Sequence, residues 1–283
     1  MKSYLAAAIA MTMALAPPAT ATVVTIADSA LTPSTQYYTD IIGGGIGTAL
    51  TMTGGGSGAN VGGTRNDDGF SGPINLGFNL PFFGGNYSQF WANNNGNISF
   101  NGGIAAYTPA GPQGASQPII SPFFADVDTR NPASGLMYLR NDIADQIIVT
   151  WDHVGYYSGQ ADKLDSFQLV LRGPNYVVPA GEGDIGFFWK TMDWETGDAS
   201  GGSGGFGGNP AAVGFGNGRG DGVILQSSTQ NGISGVVNDH MIWFNRNLQP
   251  IPPPPNAVPE PGTLVLLGFG LASMGWMTRK ART

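Results

Sequence analysis

Between Arg65 and Asn247 no stretch carries apolar residues at the 3.6-residue spacing of a helix; short β-branched and aromatic runs recur between turn signals instead. Residues 78–83 are apolar at alternate places, and 136–139, 146–151, 167–171, 185–189, 211–215, 223–226 and 241–244 read as further strands. Phe167, Leu169 and Leu171 fall on one face of their strand. Asn95-Gly96, between Phe90-Trp91 and Ile98-Ser99-Phe100, is the strongest hairpin signal, and the run from Asn93 to Asn97 tolerates left-handed backbone. Phe82, Phe83, Phe123 and Phe124 are expected as core anchors, while Pro118 and Pro122 argue against a central strand between them. The expected fold class is all-β: an antiparallel β-sandwich-like domain over residues 65–247. Residues 22–64, rich in Thr and Gly, read as a loose leader or edge strand. Residues 197–208, mostly Gly, read as a long mobile loop within the domain.

The chain of 283 residues is 41% hydrophobic but only 11% charged, against about 25% in ordinary globular domains. It contains no Cys, which excludes disulfides, thiolate catalysis and Cys-ligated zinc. Stability must then come from β-core burial, with a metal as the one available staple. Residues 22–258 hold eight Lys/Arg against 18 Asp/Glu, a net charge of −10. That disfavours nucleic acid and anionic membrane surfaces as partners and suits cation binding or solubility outside the cell.

Both ends carry processing signals. Met1-Lys2, an apolar run from Leu5 to Leu15, and the small residues Ala19 and Ala21 form a signal-peptide pattern over residues 1–21, with cleavage by signal peptidase expected after Ala21. At the other end residues 248–257 include four consecutive prolines, Pro252 to Pro255, a stiff extended linker. Residues 258–283 follow. They comprise Pro259, Glu260 and Pro261, an uncharged apolar stretch from Thr263 to Met277, and the basic residues Arg279, Lys280 and Arg282. The apolar stretch reads as a short transmembrane helix, its basic end cytoplasmic by the positive-inside rule. It is shorter than the ~20 residues of a full span.

This three-part tail resembles the PEP-CTERM sorting signal of Gram-negative bacteria that make exopolysaccharide. The resemblance implies processing by an exosortase, a membrane cysteine protease, from a precursor held transiently in the inner membrane. A second resemblance lies in the body of the chain. It is carried by Asn66-Asp67-Asp68-Gly69, Leu76-Gly77-Phe78, Pro81-Phe82-Phe83-Gly84, the run from Asn93 to Phe100 and the run from Pro118 to Arg130. Together these are similar to the NIDO domain, an extracellular module named from nidogen. That family implies an extracellular location and an association with cell–matrix adhesion; it does not imply an activity. Two functions follow as expectations. One is a structural or adhesive surface protein associated with exopolysaccharide in a biofilm matrix. The other is a secreted carbohydrate-binding module or glycan-active enzyme.

Candidate sites were weighed residue by residue. Asp126 and Asp128, with Asn131 and with Asp67 and Asp68 joining them, offer hard oxygen ligands for Ca²⁺; the alternative is a loop in which Asp caps turns or pairs with Arg130. No catalytic residues are expected. Asp193 with Glu195 is the obvious sequence pair of carboxylates for glycoside hydrolysis, against a solvated strand face or a turn. Ser203, in a Gly-x-Ser-x-Gly string with Asp221 and His240 after it, lacks the strand and helix of a nucleophile elbow. His153 and His240 read as packing or strand-end residues, and Arg219-Gly220-Asp221 as a chance of a Gly-rich composition. Trp91, Tyr107, Trp151, Tyr156, Tyr157, Trp189, Trp194 and Trp243 would stack on sugar if exposed and build the core if not.

Overall fold

The structure is a computed structural model, and it describes residues 21–253. The signal-peptide residue Ala19, the motif Pro259-Glu260-Pro261, the apolar stretch after it and the basic residues Arg279, Lys280 and Arg282 lie outside the described residues. In chain order the elements are β1 (Val23–Ile26), β2 (Thr32–Pro33), α1 (Tyr38–Ile42), β3 (Thr48–Ala49), β4 (Gly54–Gly55), β5 (Gly69–Phe82), β6 (Gly85–Asn93) and β7 (Asn97–Ser99). There follow β8 (Pro118–Phe124), β9 (Leu136–Arg140), β10 (Gln146–Tyr156), β11 (Gln160–Arg172), β12 (Ile185–Met192), β13 (Ala212–Asn217), β14 (Gly222–Leu225), α2 (Ile233–Val237) and β15 (His240–Phe244).

Two sheets face each other, as the strand pattern requires. One runs β1-β14-β13-β8-β7-β6-β5-β4 and the other β2-β15-β12-β11-β10-β9-β3. Pairing is antiparallel except between β1 and β14. The all-β, antiparallel sandwich expected from the sequence is what forms. Alternation decides which side chains meet: Phe167, Leu169 and Leu171 of β11 enter the main core, while Val170 faces outward into a second cluster with Tyr38, Ile148, Phe188 and Trp243. Aromatic rings lock the sheets across the core. Phe215 of β13 lies 5.2 Å from Phe187 of β12 and 4.8 Å from Phe244 of β15, and Phe123 of β8 lies 5.6 Å from Phe167.

Several sequence expectations change. Pro118–Phe124 is a central strand, between β13 and β7. Its prolines are tolerated because Pro118 opens the strand and Pro122 falls where the register with β13 shifts between Ala212 and Gly214, so neither is asked for a ladder N–H. The segment 22–64, read as a loose leader or edge strand, lies at the edges of both sheets. It supplies four short strands, and Tyr37, Tyr38, Leu50 and Met52 are buried. Its own sequence lacks a strand pattern because its partners are remote: β1 pairs β14, and Tyr38 packs edge-on against Trp243 at 5.4 Å. Residues 197–208 fold back on themselves. The Ser203–Phe206 bridge closes the tip, and Gly205 O accepts from the N–H groups of Glu195 and Thr196. Phe83 is exposed, unlike Phe82, Phe123 and Phe124, because it occupies the β5–β6 turn with φ +45°. One five-residue helix, α2, stands in the region read as free of helix.

The β6–β7 hairpin forms where Asn95-Gly96 predicts it, with Asn93 opposite Asn97 and Asn94, Asn95 and Gly96 as the turn. This turn is fully buried rather than solvent-facing. Gly96 (φ +75°) approaches so closely that a Cβ would stand 1.8 Å from Phe123 O. Gly84 has the same φ with nothing within 4 Å of a Cβ. Gly84→Ala is therefore expected to cost about 1–2 kcal/mol from left-handed backbone alone. Gly96→Ala should cost at least about 2 kcal/mol more, because the backbone must also move. Urea denaturation of both variants checks this; equal losses would show that the contact at Phe123 does not constrain the fold.

Candidate functional site

The connection before β5, the β6–β7 turn, the connection after β8 and the start of the Gly-rich loop converge on a group of carboxylates. Two polar clamps bring the first and third together. Arg65 Nη1 donates to the carbonyls of Thr129, Asn131 and Ser134 at 2.8–2.9 Å, and Asn66 N donates to Thr129 Oγ1 at 2.8 Å. An isolated bridge then pairs Asp67 with Asp128. Asn95 joins the parts: its Nδ2 donates to Asp68 Oδ1 at 2.8 Å, and its Oδ1 accepts from Val127 N at 2.9 Å.

Within this frame one oxygen from each of Asp67, Asp68 and Asp126 lies within 4.8 Å of the others. Asp67 and Asp126 are buried and Asp68 is half-buried. Asp67 Oδ1 and Asp126 Oδ2 have no hydrogen-bond partner among the described residues. Burial, then repulsion from Asp128 and Asp68, pushes the Asp67 carboxyl up to about 7, with Arg130 opposing. Burial and the surrounding carboxylates push Asp126 up to about 8, and burial raises Asp68 as well. Each carboxylate is also met by a glycine. A Cβ at Gly197 would lie 2.5 Å from Asp126 Oδ2, one at Gly58 3.0 Å from Asp67 Oδ2, and one at Gly56 3.0 Å from Asp68 Cβ.

Of the residues named from sequence, Asp126, Asp67 and Asp68 belong to this group, and Asp128 and Asn131 do not. Asp128 is held by Arg130, whose Nε reaches both its oxygens at 3.0 and 3.1 Å and whose Nη2 reaches Oδ2 at 2.5 Å. Arg130 N and Gly159 N donate to it too, so its oxygens are committed. Arg130 Nη2 also contacts Asp67 Oδ2 at 2.9 Å. Asn131 spends its side chain on Gly159 O and Ala133 N. Sequence spacing favoured Asp126 with Asp128, two apart; the pairing of Asp126 with Asp67 and Asp68 depends on a remote bridge. The motif from Asn66 to Gly69 held the missing signal, and the spacing role of Gly56, Gly58 and Gly197 had none.

A family model described as NIDO related matches residues 31–243, more than half of the chain. The chain belongs to the NIDO related family. A second model, the PEP-CTERM protein-sorting motif, matches residues 257–280. Together they mark an exported, cell-surface protein, and the motif implies processing by exosortase. Alpha-tectorin of Mus musculus is 33% identical over 182 residues, which cover 54% of this chain and 8% of that protein. The Homo sapiens and Gallus gallus alpha-tectorins are 32% and 31% identical over the same length and shares. The similarity thus spans a small part of these relatives. No solved structure matches. The transmembrane helix expected after Thr263 gains no support: among the described residues no helix is long and apolar enough to cross a membrane, and that stretch lies outside them.

The remaining sequence candidates occupy structural positions. Glu195 is buried beneath α2, where its carboxylate accepts from Gly232 N, Ser234 N and Ser234 Oγ, while Asp193 is exposed. The two do not face each other across a cleft. Ser203 follows a 3₁₀ turn and leads to β13, without the strand-to-helix turn of a nucleophile elbow. Asp221 accepts from Thr22 N at 2.7 Å and Asn217 Nδ2 at 2.6 Å. His153 stands exposed in the irregular part of β10, and His240 opens β15. Trp151, Tyr156, Trp189, Trp194 and Trp243 are core residues; Tyr107 is exposed and Trp91 and Tyr157 are half-buried. Replacing Glu195 by Ala strands the buried donors of α2, so urea denaturation should show a loss of about 2–4 kcal/mol. A loss under about 0.5 kcal/mol would contradict this capping role.

Proposed function

We propose that this protein is a structural or adhesive component of the surface matrix of a Gram-negative bacterium. Its precursor is cleaved by signal peptidase after Ala21, held transiently in the inner membrane by the apolar stretch after Thr263, trimmed by exosortase at Pro259-Glu260-Pro261, and retained with exopolysaccharide. The observation that carries this reading is the presence in one chain of a NIDO related module and a PEP-CTERM motif. The net charge of −10 over residues 22–258 supports a role away from nucleic acid and anionic membrane. The use of Glu195 as a helix cap supports a non-enzymatic role.

A second reading, a carbohydrate-binding module, is favoured by one surface feature. A groove of about 400 Å³ is lined by Phe83 and Tyr87 together with Asn101, Gln117, Asn217 and Arg219. Aromatic faces beside amides and a guanidinium suit a sugar ring.

Fractionation of cells with and without the exosortase, with both termini of the protein sized by mass spectrometry, tests the proposal. Processing predicts an N-terminus at Thr22, a C-terminus lacking Arg279, Lys280 and Arg282, and recovery in the matrix only when the exosortase is present. An intact tail in the membrane fraction of both strains would overturn it. Matrix polysaccharide binding that is lost with Phe83→Ala would favour the second reading.

A further inference from the structure

We propose that Asp67, Asp68 and Asp126 form a calcium site that ties the N-terminal part of the domain to the connection after β8. This goes beyond the surface role above and stands on geometry. Oxygens at 2.3–2.6 Å from one Ca²⁺ are at most about 5 Å apart. The three carboxylates, each offering an oxygen within 4.8 Å of the others, are therefore spaced to converge on one ion.

Three further observations point to a ligand. Asp126 Oδ2 and Asp67 Oδ1 are buried with no donor among the described residues, and the two residues are only 1% and 5% exposed. Native proteins rarely leave such groups unsatisfied. Four carboxylates, those of Asp67, Asp68, Asp128 and Asp198, press on Asp126. Arg130, the neighbouring cation, makes its ion pairs with Asp67 and Asp128. Lastly, Gly56, Gly58 and Gly197 hold backbone against the carboxylates, and any Cβ there would crowd Asp68, Asp67 or Asp126. Since none of the three has a positive φ, space is what requires glycine there.

The ligand type follows from the donors. Carboxylate oxygens without Cys or His select a hard cation, and Ca²⁺ accepts irregular geometry completed by water, whereas Mg²⁺ demands a near-ideal octahedron. Asp68, half-buried, leaves one side open for water ligands and for entry of the ion. A chain without Cys gains from such a staple what a disulfide would otherwise supply.

The test is calorimetric titration of CaCl₂ into the chelator-treated mature protein, alongside thermal unfolding with CaCl₂, MgCl₂ or EDTA. One Ca²⁺ per chain is expected, with sub-millimolar to millimolar affinity typical of extracellular modules. The melting temperature should rise by roughly 5–10 °C at calcium a hundredfold above the dissociation constant. Asp126→Asn should weaken binding about tenfold or more, and Asp142→Asn, at an exposed acid paired with Arg140, should leave it unchanged. If Asp126→Asn does not fold, Asp68→Asn serves at the more exposed ligand. Absence of binding and of any melting shift in the folded wild type would overturn the proposal. So would binding that Asp142→Asn weakens as much as the ligand variants do.

Discussion

The fold turns on a buried hairpin tip. Asn94, Asn95 and Gly96 would ordinarily face water, but here they are fully enclosed between the sheets, so each of their backbone groups needs a partner inside the protein. Asn94 O accepts from Trp151 Nε1 at 2.9 Å, Asn95 O from Ala125 N, and Gly96 O from Phe123 N. One turn therefore fixes β8 and its exit on one side and β10 on the other. The Asn95 side chain carries the constraint on to Val127 and Asp68. The carboxylate cluster is a consequence of this arrangement: the turn that aligns the exit of β8 also sets Asp126 against Asp67 and Asp68.

Features set by near neighbours were legible in the sequence. The alternation of Phe167, Leu169 and Leu171 and the Asn95-Gly96 turn depend on residues a few places away, and both formed as read. Features set by distant partners were not. Tyr38 is buried only because Trp243 and Phe188 cover it. Pro122 is tolerated only because β8 itself bulges there against β13. The Gly-rich loop is tied to a remote strand end, where Asp198 N donates to Tyr157 O. At the site the same division holds. Asp126 sits among carboxylates, but with Asp67 and Asp68 rather than with Asp128, two places on, which Arg130 takes away. The true neighbours, Asp67 and Asp68, lie more than fifty residues earlier and arrive through the bridge to Asp128 and the clamp of Arg65.

Acids that sequence spacing offered for catalysis serve as a helix cap at Glu195 and a turn brace at Asp221. Most of the tryptophans are spent on the core, which leaves the groove beside Phe83 and Tyr87 as the aromatic surface suited to sugar. The chain has no Cys, and its group of carboxylates at Asp67, Asp68 and Asp126 lies where the N-terminal segment joins the sandwich.

The most direct measurement is anomalous diffraction from crystals of the mature protein grown with calcium, recorded at long wavelength. The account predicts one peak about 2.3–2.6 Å from an oxygen of each of Asp67, Asp68 and Asp126. A cluster filled by the Arg130 guanidinium or by water, with no anomalous peak, would contradict it.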